Sequence, residues 1–276
     1  MQPTKVRLKQ LFQINNNQTA IEQRLLAIRI GKAHCCFCVS NKDGSRISHL
    51  QYYTITDWNK RTWQQLLTEN EILGEDFFEI IIAYDFAESL LVPLSVYKNE
   101  NTEALLQTAF GYVEETTIIA ENISGWQLQN IYAVPEEIAE SMKKQFPTAR
   151  YWHQHSVSVK NLDIADHTKK ILIDFRKDDF VVLVTRSHDI LLARSFAYVT
   201  ATDVLYHLLR VANEFYFSQE KVHLLISGLI DRDSSLFKDL KQYFLHIDFR
   251  EVGWTENGEY PAHYFTSLND LIQCVS

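Results

Sequence analysis

The sequence predicts an α/β protein in which mixed sheets carry helices and one structural unit occurs twice. Three apolar runs, separated by turn residues, occupy residues 24–56, and three more occupy residues 169–198. The two stretches superpose without a gap, so that Arg29 falls on Asp174 and Tyr53 on Tyr198. In both copies a helical pattern and then a buried-strand pattern follow. Three antiparallel strands followed by alternating helices and strands predict a mixed sheet covered by helices.

The first copy begins with the runs LLAIRI, HCCFCV and SRISHLQYYTI. An Asp-Gly pair between the second and third runs is typical of a hairpin. The stretch TDWNKRTWQQLLTEN then predicts a helix with Thr56 or Asp57 as its N-cap, and FFEIIIAY predicts a strand. Further strand and helix patterns follow, with Pro135 near the start of a helix. We expect residues 20–160 to form a first ribonuclease H-like domain, for the reasons given below.

The second copy begins with the runs ILIDF, FVVLV and ILLARSFAYV. The stretch ATDVLYHLLRVANEFYFSQ predicts an amphipathic helix capped by Thr202 or Asp203. After it come a strand in KVHLLISG, a helix capped by Ser234, a strand in LHIDFREV and a closing helix in HYFTSLNDLIQCV. We expect residues 161–276 to form a second domain of the same kind.

The composition favours a cytoplasmic protein that binds neither nucleic acid nor membranes. Of the 276 residues, 46% are hydrophobic, which is enough to build a large core, and the net charge is −8. An acidic chain is a poor partner for nucleic acid or for an anionic membrane surface. No run approaches the roughly 18 apolar residues of a membrane span, and the polar N-terminal stretch does not resemble a signal peptide.

Three of the four cysteines lie together in the run HCCFCV, as Cys35, Cys36 and Cys38. Their spacing differs from the two-residue gap of common zinc knuckles. Free cysteine is among the most buried residue types, so we expect these to be buried free thiols.

The run Trp152-His153-Gln154-His155 contains a candidate metal pair. On a strand, His153 and His155 would point to the same face. Because no third ligand is evident in the sequence, exposed strand histidines are the favoured interpretation.

A duplicated unit of this order resembles the actin-like ATPase fold, in which two ribonuclease H-like domains flank a nucleotide cleft. The chain looks like an uncharacterised bacterial family with that fold. It is distantly similar to the actin-like proteins of cell division and type IV pilus assembly, and the resemblance covers residues 20–276. Proteins of this fold carry an aspartate at the end of the first strand of each half, followed by a glycine-rich turn. The resemblance implies that this aspartate positions metal-bound water and that backbone N–H groups of the turn hold the phosphates of ATP.

Only part of that site is present in this sequence. Asp174 stands at the aspartate position of the second copy, but residues 175–179 contain no glycine. In the first copy Arg29 replaces the aspartate. Ser227 and Gly228 stand where the resemblance implies an adenosine-binding turn of two small residues. The two aspartates within 175–179 would repel a triphosphate, at a cost of about 4 kcal/mol for like charges about 4 Å apart.

The favoured function is therefore a non-catalytic protein-interaction or assembly module with a degenerate nucleotide site and no cofactor. Its partner would be another protein, with a homodimer as a further option, and aromatic side chains left exposed would mark the interface. The alternative is an ATP-binding protein or ATPase with unusual phosphate turns. In that case Arg29, Lys32 and Lys177 would supply charge to the phosphates in place of the missing glycine amides, and Asp174 would hold Mg²⁺. A metal-dependent nuclease is the third hypothesis, and it would need Asp174 and Asp203 to converge with further carboxylates on two metals.

Overall fold

The computed structural model describes residues 8–16, 22–112, 114–163, 168–254 and 258–274. The chain forms two compact units. Unit 1 comprises Met1–Lys160, Trp254–Gly258 and Asp270–Ser276, and unit 2 comprises Asn161–Gly253 and Glu259–Asn269. The expected start of the first domain, at residue 20, lies outside the described residues.

The described part of the chain forms strands and α-helices, with runs of consecutive strands within residues 8–55 and 169–197. The strands are Leu8–Asn15 (β1), Leu25–Gly31 (β2), His34–Ser40 (β3), Ile47–Ile55 (β4), Glu79–Asp85 (β5), Ser89–Pro93 (β6), Thr116–Ile123 (β7), Leu128–Pro135 (β8), Arg150–His153 (β9), Lys169–Phe175 (β10), Asp179–Arg186 (β11), Asp189–Ala197 (β12), His223–Gly228 (β13) and His246–Phe249 (β14). The α-helices are Lys60–Glu69 (α1), Thr102–Phe110 (α2), Glu136–Gln145 (α3), Gln154–Lys160 (α4), Ala201–Glu214 (α5), Ser235–Tyr243 (α6) and Thr266–Gln273 (α7).

A six-stranded sheet in the order β1-β4-β3-β2-β5-β9 forms the centre of unit 1. Strand β2 is antiparallel to β3 and parallel to β5. Every residue of β2 and β3 is buried, which explains their near-continuous apolar sequences. Strand β1, which no sequence pattern predicted, pairs with β4 and forms one edge of the sheet.

Helix α1 begins later than the sequence predicted. Its N-cap is Asn59, whose side chain accepts hydrogen bonds from the backbone N–H groups of Arg61 and Thr62. The predicted caps, Thr56 and Asp57, were therefore wrong. Asp57 instead accepts a hydrogen bond from the Asn59 side chain, so it supports the cap without being one.

Unit 1 also contains a three-stranded antiparallel sheet in the order β6-β8-β7. It lies between β5 and β9 in the chain and has a small core of its own, made by Val92, Leu106, Ile131 and Ala133. Helix α2 contributes Leu106 to this core. Unit 2 has no counterpart of this sheet among the described residues.

A five-stranded sheet in the order β12-β11-β10-β13-β14 forms the centre of unit 2. Helices α5 and α6 follow β12 and β13 in the chain, and Val204, Leu208, Phe237 and Leu240 from these helices join the core cluster of the sheet. The predicted N-cap Ser234 of α6 is confirmed, because its Oγ accepts a hydrogen bond from the backbone N–H of Phe237 at 3.2 Å.

The predicted N-cap of α5 was wrong. Thr200 caps this helix, and the Asp203 side chain accepts hydrogen bonds from the backbone N–H groups of Val199 and Thr200. The two residues form a reciprocal capping box. The nuclease hypothesis took Asp203 as a metal-binding carboxylate, but its side chain is used in this cap.

The two sheets repeat one topology, which confirms the predicted repetition of β2, β3, β4 and β5 as β10, β11, β12 and β13. In each copy the first strand is antiparallel to the second and parallel to the fourth. A register irregularity in the pairing of the second and third strands recurs at Val39/Ser40 and Val184/Thr185, which superpose in the gap-free alignment.

The gap-free alignment fails in the third strand of the copies. Cys35 lies opposite Tyr53, and its counterpart Phe180 lies opposite Phe196. Tyr53 therefore corresponds to Phe196 and not to Tyr198. The cause is the hairpin before the third strand, which comprises residues 41–46 in the first copy and only residues 187–188 in the second.

Within the described residues, no helix is both long enough and apolar enough to cross a membrane.

Candidate functional site

The structure brings Asp174 and Ser227 together at the ends of two parallel strands. Asp174 of β10 lies opposite Ser227 of β13 in the sheet register. The Ser227 hydroxyl lies 2.9 Å from Oδ1 of Asp174 and 3.3 Å from the carbonyl oxygen of Ile173, and it can donate to either. Ser227 is buried, whereas Asp174 is partly exposed. The Asp174 carboxylate, which was predicted to bind a metal ion, is thus hydrogen-bonded to a residue of the neighbouring strand and remains partly exposed to solvent.

Gly228, the next residue of β13, occupies a position that only glycine can fill. Its φ is +81°, a value that favours glycine. A Cβ built on it would lie 2.1 Å from the carbonyl oxygen of Phe175 and 2.7 Å from the backbone nitrogen of Phe175. Directly afterwards, the backbone N–H of Leu229 donates to the same carbonyl at 2.8 Å. The chain therefore leaves β13 by crossing close over the end of β10.

The turn after Asp174 is closed by its own side chains. The backbone N–H of Arg176 donates to the carbonyl of Asp179 at 2.9 Å, and its guanidinium lies 2.9 Å from the Asp179 carboxylate. The Arg176 side chain is only 3% exposed, and its carbonyl accepts a hydrogen bond from the Tyr198 hydroxyl. Lys177 projects outward, with 59% of its side chain exposed, and lies 3.9 Å from the Asp178 carboxylate.

In unit 1 the corresponding strand ends form a buried ionic cluster. Nε of Arg29 lies 2.7 Å from Oδ2 of Asp85, and Nε2 of His34 lies 3.1 Å from the same oxygen. The side chains of these three residues are 3%, 0% and 6% exposed, in the order Arg29, Asp85, His34. Because a buried charge needs a partner of opposite charge, the Asp85 carboxylate stabilises the buried guanidinium of Arg29.

Gly31 lets this cluster close over the end of β2. A Cβ at Gly31 would lie 2.4 Å from Cε1 of His34 and 2.6 Å from the carbonyl oxygen of Asp85. The Gly31 carbonyl accepts a hydrogen bond from the Trp58 indole at 2.8 Å. Lys32 follows in the turn to β3 and is exposed. Gly31 therefore leaves space for the ring of His34, whereas the resemblance implied that a turn of this kind would bind a phosphate.

An open concavity of about 670 Å³ lies beside the N-terminus of α6 in unit 2. Asp231, Asp233 and Glu251 line it, together with Arg232 and the cap residue Ser234. The Arg232 guanidinium pairs with Glu251, and the Tyr264 hydroxyl donates to Asp231. A helix N-terminus favours anions, but three carboxylates against one paired arginine disfavour a phosphate at this place.

A family model matches most of the chain. The model of a family described as "Protein of unknown function (DUF3822)" matches residues 13–247. The chain belongs to this family. A search of the curated proteins finds no match.

Solved structures show the fold of this DUF3822 protein. A Bacteroides thetaiotaomicron protein with an actin-like ATPase fold and unknown function is 20% identical and matches with a TM-score of 0.78, over 91% of this chain and 96% of that chain. A chain of the PilM–PilN type IV pilus biogenesis complex is 11% identical and matches with a TM-score of 0.61, over 91% and 98%. The ethanolamine utilization protein EutJ from Carboxydothermus hydrogenoformans is 8% identical and matches with a TM-score of 0.52, over 94% and 91%. The fold is the actin-like ATPase fold, as the sequence predicted.

The predicted site residues fall into two groups in this DUF3822 structure. Asp174, Ser227 and Gly228 lie at adjacent strand ends and contact one another or the same backbone. Lys177 and Lys32 are exposed turn residues, one in each unit. The sequence patterns missed Asp85, although the strand pattern EIIIAYD ends in a carboxylate, which is the kind of signal used to select Asp174.

The interpretation of the two histidines was wrong. His153 is the last residue of β9 and His155 lies in α4, so they do not share a strand face, and both are buried. Nε2 of His153 lies 3.0 Å from the Phe86 carbonyl, and Nδ1 of His155 lies 3.1 Å from the Ser89 hydroxyl. Within the described residues, no group of three or more His, Cys, Asp or Glu side chains is arranged to hold a metal ion.

The histidines belong to a polar cluster that the sequence patterns did not reveal. Glu121 of β7 accepts hydrogen bonds from the backbone N–H of His153 at 2.9 Å and from the Tyr132 hydroxyl at 3.1 Å. Burial raises the pKa of Glu121 from its ordinary 4.5 to about 7, although these hydrogen bonds, a further one with Ser156 and the charge of Lys160 act in the opposite direction. The cluster joins the three-stranded sheet of unit 1 to β9 and α4.

Cys35, Cys36 and Cys38 are buried free thiols, as predicted. Burial raises the pKa of Cys35 and of Cys38, and both are affected in the same direction by Cys36. Thiols held in the protonated form are poor nucleophiles and poor metal ligands. These cysteines therefore serve the core of the β2–β3–β4 sheet.

Proposed function

We propose that this DUF3822 protein is a non-catalytic actin-like module that acts by binding another protein. The observation that carries the proposal is the buried pair of Arg29 and Asp85, at the strand end where the resemblance implies a catalytic aspartate. The guanidinium of Arg29 offers no metal ligand, and the Asp85 carboxylate beside it is already paired with Arg29. The adjoining turn is filled by the His34 ring.

Arg29 is poorly suited to bind a phosphate in place of the missing glycine amides. To reach an anion it would have to leave Asp85, which is fully buried at its side chain. Separating a buried ion pair leaves an uncompensated charge and costs about 3–5 kcal/mol. A nucleotide would have to supply that free energy before gaining any affinity.

Unit 2 supports the same conclusion through its charges. Asp178 lies in the turn after Asp174, Asp179 begins β11 and pairs with Arg176, and three further carboxylates line the concavity beside α6. Lys177, the one lysine of the turn, is exposed and lies beside Asp178. The charge of Asp178 offsets that of Lys177, and an ion pair between an exposed lysine and a phosphate would itself be weak, so Lys177 adds little to a phosphate site.

A protein partner is supported by one structural relative. PilM, which shares the fold at a TM-score of 0.61, is found in a complex with PilN for type IV pilus biogenesis. A fold that presents a large mixed sheet and surface helices can serve binding after its chemistry has been lost.

The test compares the wild-type protein with Asp174→Ala in two assays, phosphate release from Mg-ATP and the melting temperature with and without millimolar Mg-ATP. We expect no phosphate release and no shift of melting temperature for either protein. ATP turnover by the wild type that disappears in Asp174→Ala would overturn the proposal. Asp178→Ala, an exposed carboxylate in the same turn, serves as the matched control.

The second candidate function is an ATP-binding protein with unusual turns. Gly228 and the Asp174–Ser227 contact favour it, because they preserve a glycine crossing and a partly exposed carboxylate at adjacent strand ends. Asp174 would then hold Mg²⁺, and Lys177 of the same unit would contact the phosphates. Calorimetric titration with Mg-ATP tests this reading: saturable binding that is weakened by both Asp174→Ala and Lys177→Ala would support it, and a flat titration would exclude it.

A further inference from the structure

The two copies of the repeated unit differ at one sheet edge. In unit 1 the third strand of the copy, β4, is covered along its length by β1, which runs antiparallel to it from Leu8 to Asn15. Its counterpart in unit 2 is β12, which forms the edge of the sheet. Among the residues that the structure describes, β12 pairs only with β11. The same strand is thus an interior strand in one copy and an edge in the other.

An unpaired edge presents a row of backbone N–H and C=O groups that can accept another strand. Strand β12 has nine residues, longer than the usual protected edge. Its pairing with β11 shifts register near Leu191, and such irregularities limit strand addition. The segment Leu192–Ala197, in which the register is regular, is therefore the part of β12 that can pair with an added strand. Its counterpart in β4 is the part that pairs with β1.

The register of unit 1 indicates what would lie opposite each residue of this segment. Gln13 of β1 lies opposite Gln51 of β4. Gln51 lies opposite Phe37, whereas Arg194 lies opposite Val182, the counterpart of Phe37. Arg194 is therefore the residue that faces the Gln13 position of an added strand.

The side chain of Arg194 is an exposed cation next to aromatic rings. Arg194 is exposed, with its guanidinium carbon 5.8 Å from the centre of the Phe196 ring, and that ring lies 4.6 Å from the ring of His207. Burial lowers the pKa of His207, and the charges of Arg210 and Arg194 lower it further, although Asp203 opposes them. The lowered pKa leaves His207 mainly neutral near pH 7, so the cation that can pair with an acidic side chain of an added strand is the exposed guanidinium of Arg194.

Apolar side chains are exposed next to the same edge. Val199, two residues after β12, is 92% exposed, and Tyr206 of α5, whose ring lies 5.4 Å from that of His207, is 59% exposed. Exposed apolar residues beside a free edge are typical of a peptide-binding surface, in which backbone hydrogen bonds give affinity and side-chain contacts give specificity.

We propose that β12 accepts an extended strand of a partner protein, antiparallel along Leu192–Ala197, with an acidic residue of that strand opposite Arg194 and apolar residues on either side. This inference rests on the proposed function, since it names the surface by which the module binds. The proposed occupant is a strand of another protein that carries both acidic and apolar side chains. Pairing of β12 with a second copy of this chain is the competing outcome of the test.

The probe is a synthetic peptide with the β1 sequence LKQLFQIN, in which Gln13→Glu places a carboxylate opposite Arg194. The matched peptide carries Gln13→Lys, and a third carries backbone N-methyl groups at alternate residues, which remove its strand donors. We expect the Glu peptide to bind the full chain roughly two- to fivefold more tightly than the Lys peptide, the range of one cross-strand charge pair. The N-methylated peptide should not bind, and hydrogen exchange should slow at residues 192–197 when the Glu peptide is added.

Variants of the protein complete the test. Arg194→Glu should reverse the preference between the Glu and Lys peptides, Arg194→Ala should abolish it, and Lys238→Glu, an exposed charge change on α6, should leave it unchanged. Equal binding of both peptides, or protection outside 192–197, would overturn the proposal. So would protection of 192–197 without peptide that rises with protein concentration together with a dimer in sedimentation, because the occupant would then be a second copy. ATP turnover with peptide binding intact would refute only the non-catalytic function.

Discussion

The side chains of Arg29 and Asp85 form a buried ion pair, with Nε and Oδ2 2.7 Å apart, at the strand ends that in the second copy carry Asp174 and the Ser227–Gly228 turn. The duplicated positions have diverged in charge. In unit 1 the first strand carries the cation Arg29, which pairs with Asp85 at the end of β5, whereas in unit 2 the first strand carries the carboxylate Asp174, which the Ser227 hydroxyl contacts.

The pair makes a first prediction about stability. Asp85→Asn removes the charge that compensates buried Arg29, so we expect the free energy of unfolding to fall by about 3–5 kcal/mol. Urea unfolding measures this loss. The control is Asp178→Asn, where both partners of the pair are more than half exposed, and there we expect a change within about 0.5 kcal/mol. Equal effects of the two substitutions would contradict the role given to Asp85.

Gly228 makes a second prediction, and Gly111 provides a matched control. Both have a φ of +81°, but a Cβ at Gly111 would meet nothing within 4 Å, whereas one at Gly228 would meet the backbone of Phe175. Alanine at either position adds backbone strain of about 1–3 kcal/mol. Only Gly228→Ala adds a steric clash, so it should destabilise the protein by at least about 1 kcal/mol more than Gly111→Ala in chemical unfolding. If Gly111→Ala were as costly, the close crossing of β13 over β10 would not be the cause.

The three antiparallel strands of each copy, and the helix and strand that follow them, could be predicted because apolar runs and turn residues act locally. The residues with which buried polar side chains pair could not be predicted from the sequence. Arg29 and Asp85 are 56 residues apart in the chain, and Glu121 and His153 are 32 apart, so no short pattern links them. The run WHQHSVSV alternates as a strand would, but tertiary packing buries residues 154–157 on all sides and a helix forms there.

The N-caps of α1, α5 and α6 were predicted to within three residues, and the two errors have one physical cause. Several side chains near a helix start can act as a cap, and the choice depends on which one reaches a backbone N–H. In α1 this was Asn59, not Thr56 or Asp57. In α5 it was Thr200, not Thr202 or Asp203.

The cap of α5 makes a third prediction. Thr200→Ala removes a side-chain acceptor of a helix-end N–H group, so it should lower the free energy of unfolding by about 0.5–2 kcal/mol. Thr202→Ala changes the same side chain at an exposed position inside the helix, and its effect should stay within about 0.5 kcal/mol. Denaturant titration of the two variants side by side measures the difference. If Thr202→Ala lowered the free energy of unfolding more than Thr200→Ala, Thr202 would be the N-cap of α5, as the sequence predicted.

Glu121 makes a fourth prediction, about pH. Its pKa is raised to about 7 in the folded protein, chiefly by burial, against an ordinary 4.5, so the folded state holds the proton more tightly than the unfolded state does. Stability is therefore highest when the carboxyl is protonated and falls as the pH rises from about 4.5 to about 7, by roughly 3 kcal/mol in all. The groups that face it are Tyr132 of β8, His153 of β9 and Ser156 and Lys160 of α4.

Glu121→Gln tests this dependence, because an amide does not titrate. We expect the stability of the wild type relative to the variant to fall by about 2–3 kcal/mol between pH 5 and pH 8, as measured by urea unfolding at each pH. Glu140→Gln, on the exposed face of α3, makes the same change of net charge and corrects for the general effect of charge on stability. A difference between wild type and Glu121→Gln that stayed constant across this range would mean that the carboxyl is already ionised at pH 5. The hydrogen bonds from Tyr132 and His153 would then outweigh the burial of its charge.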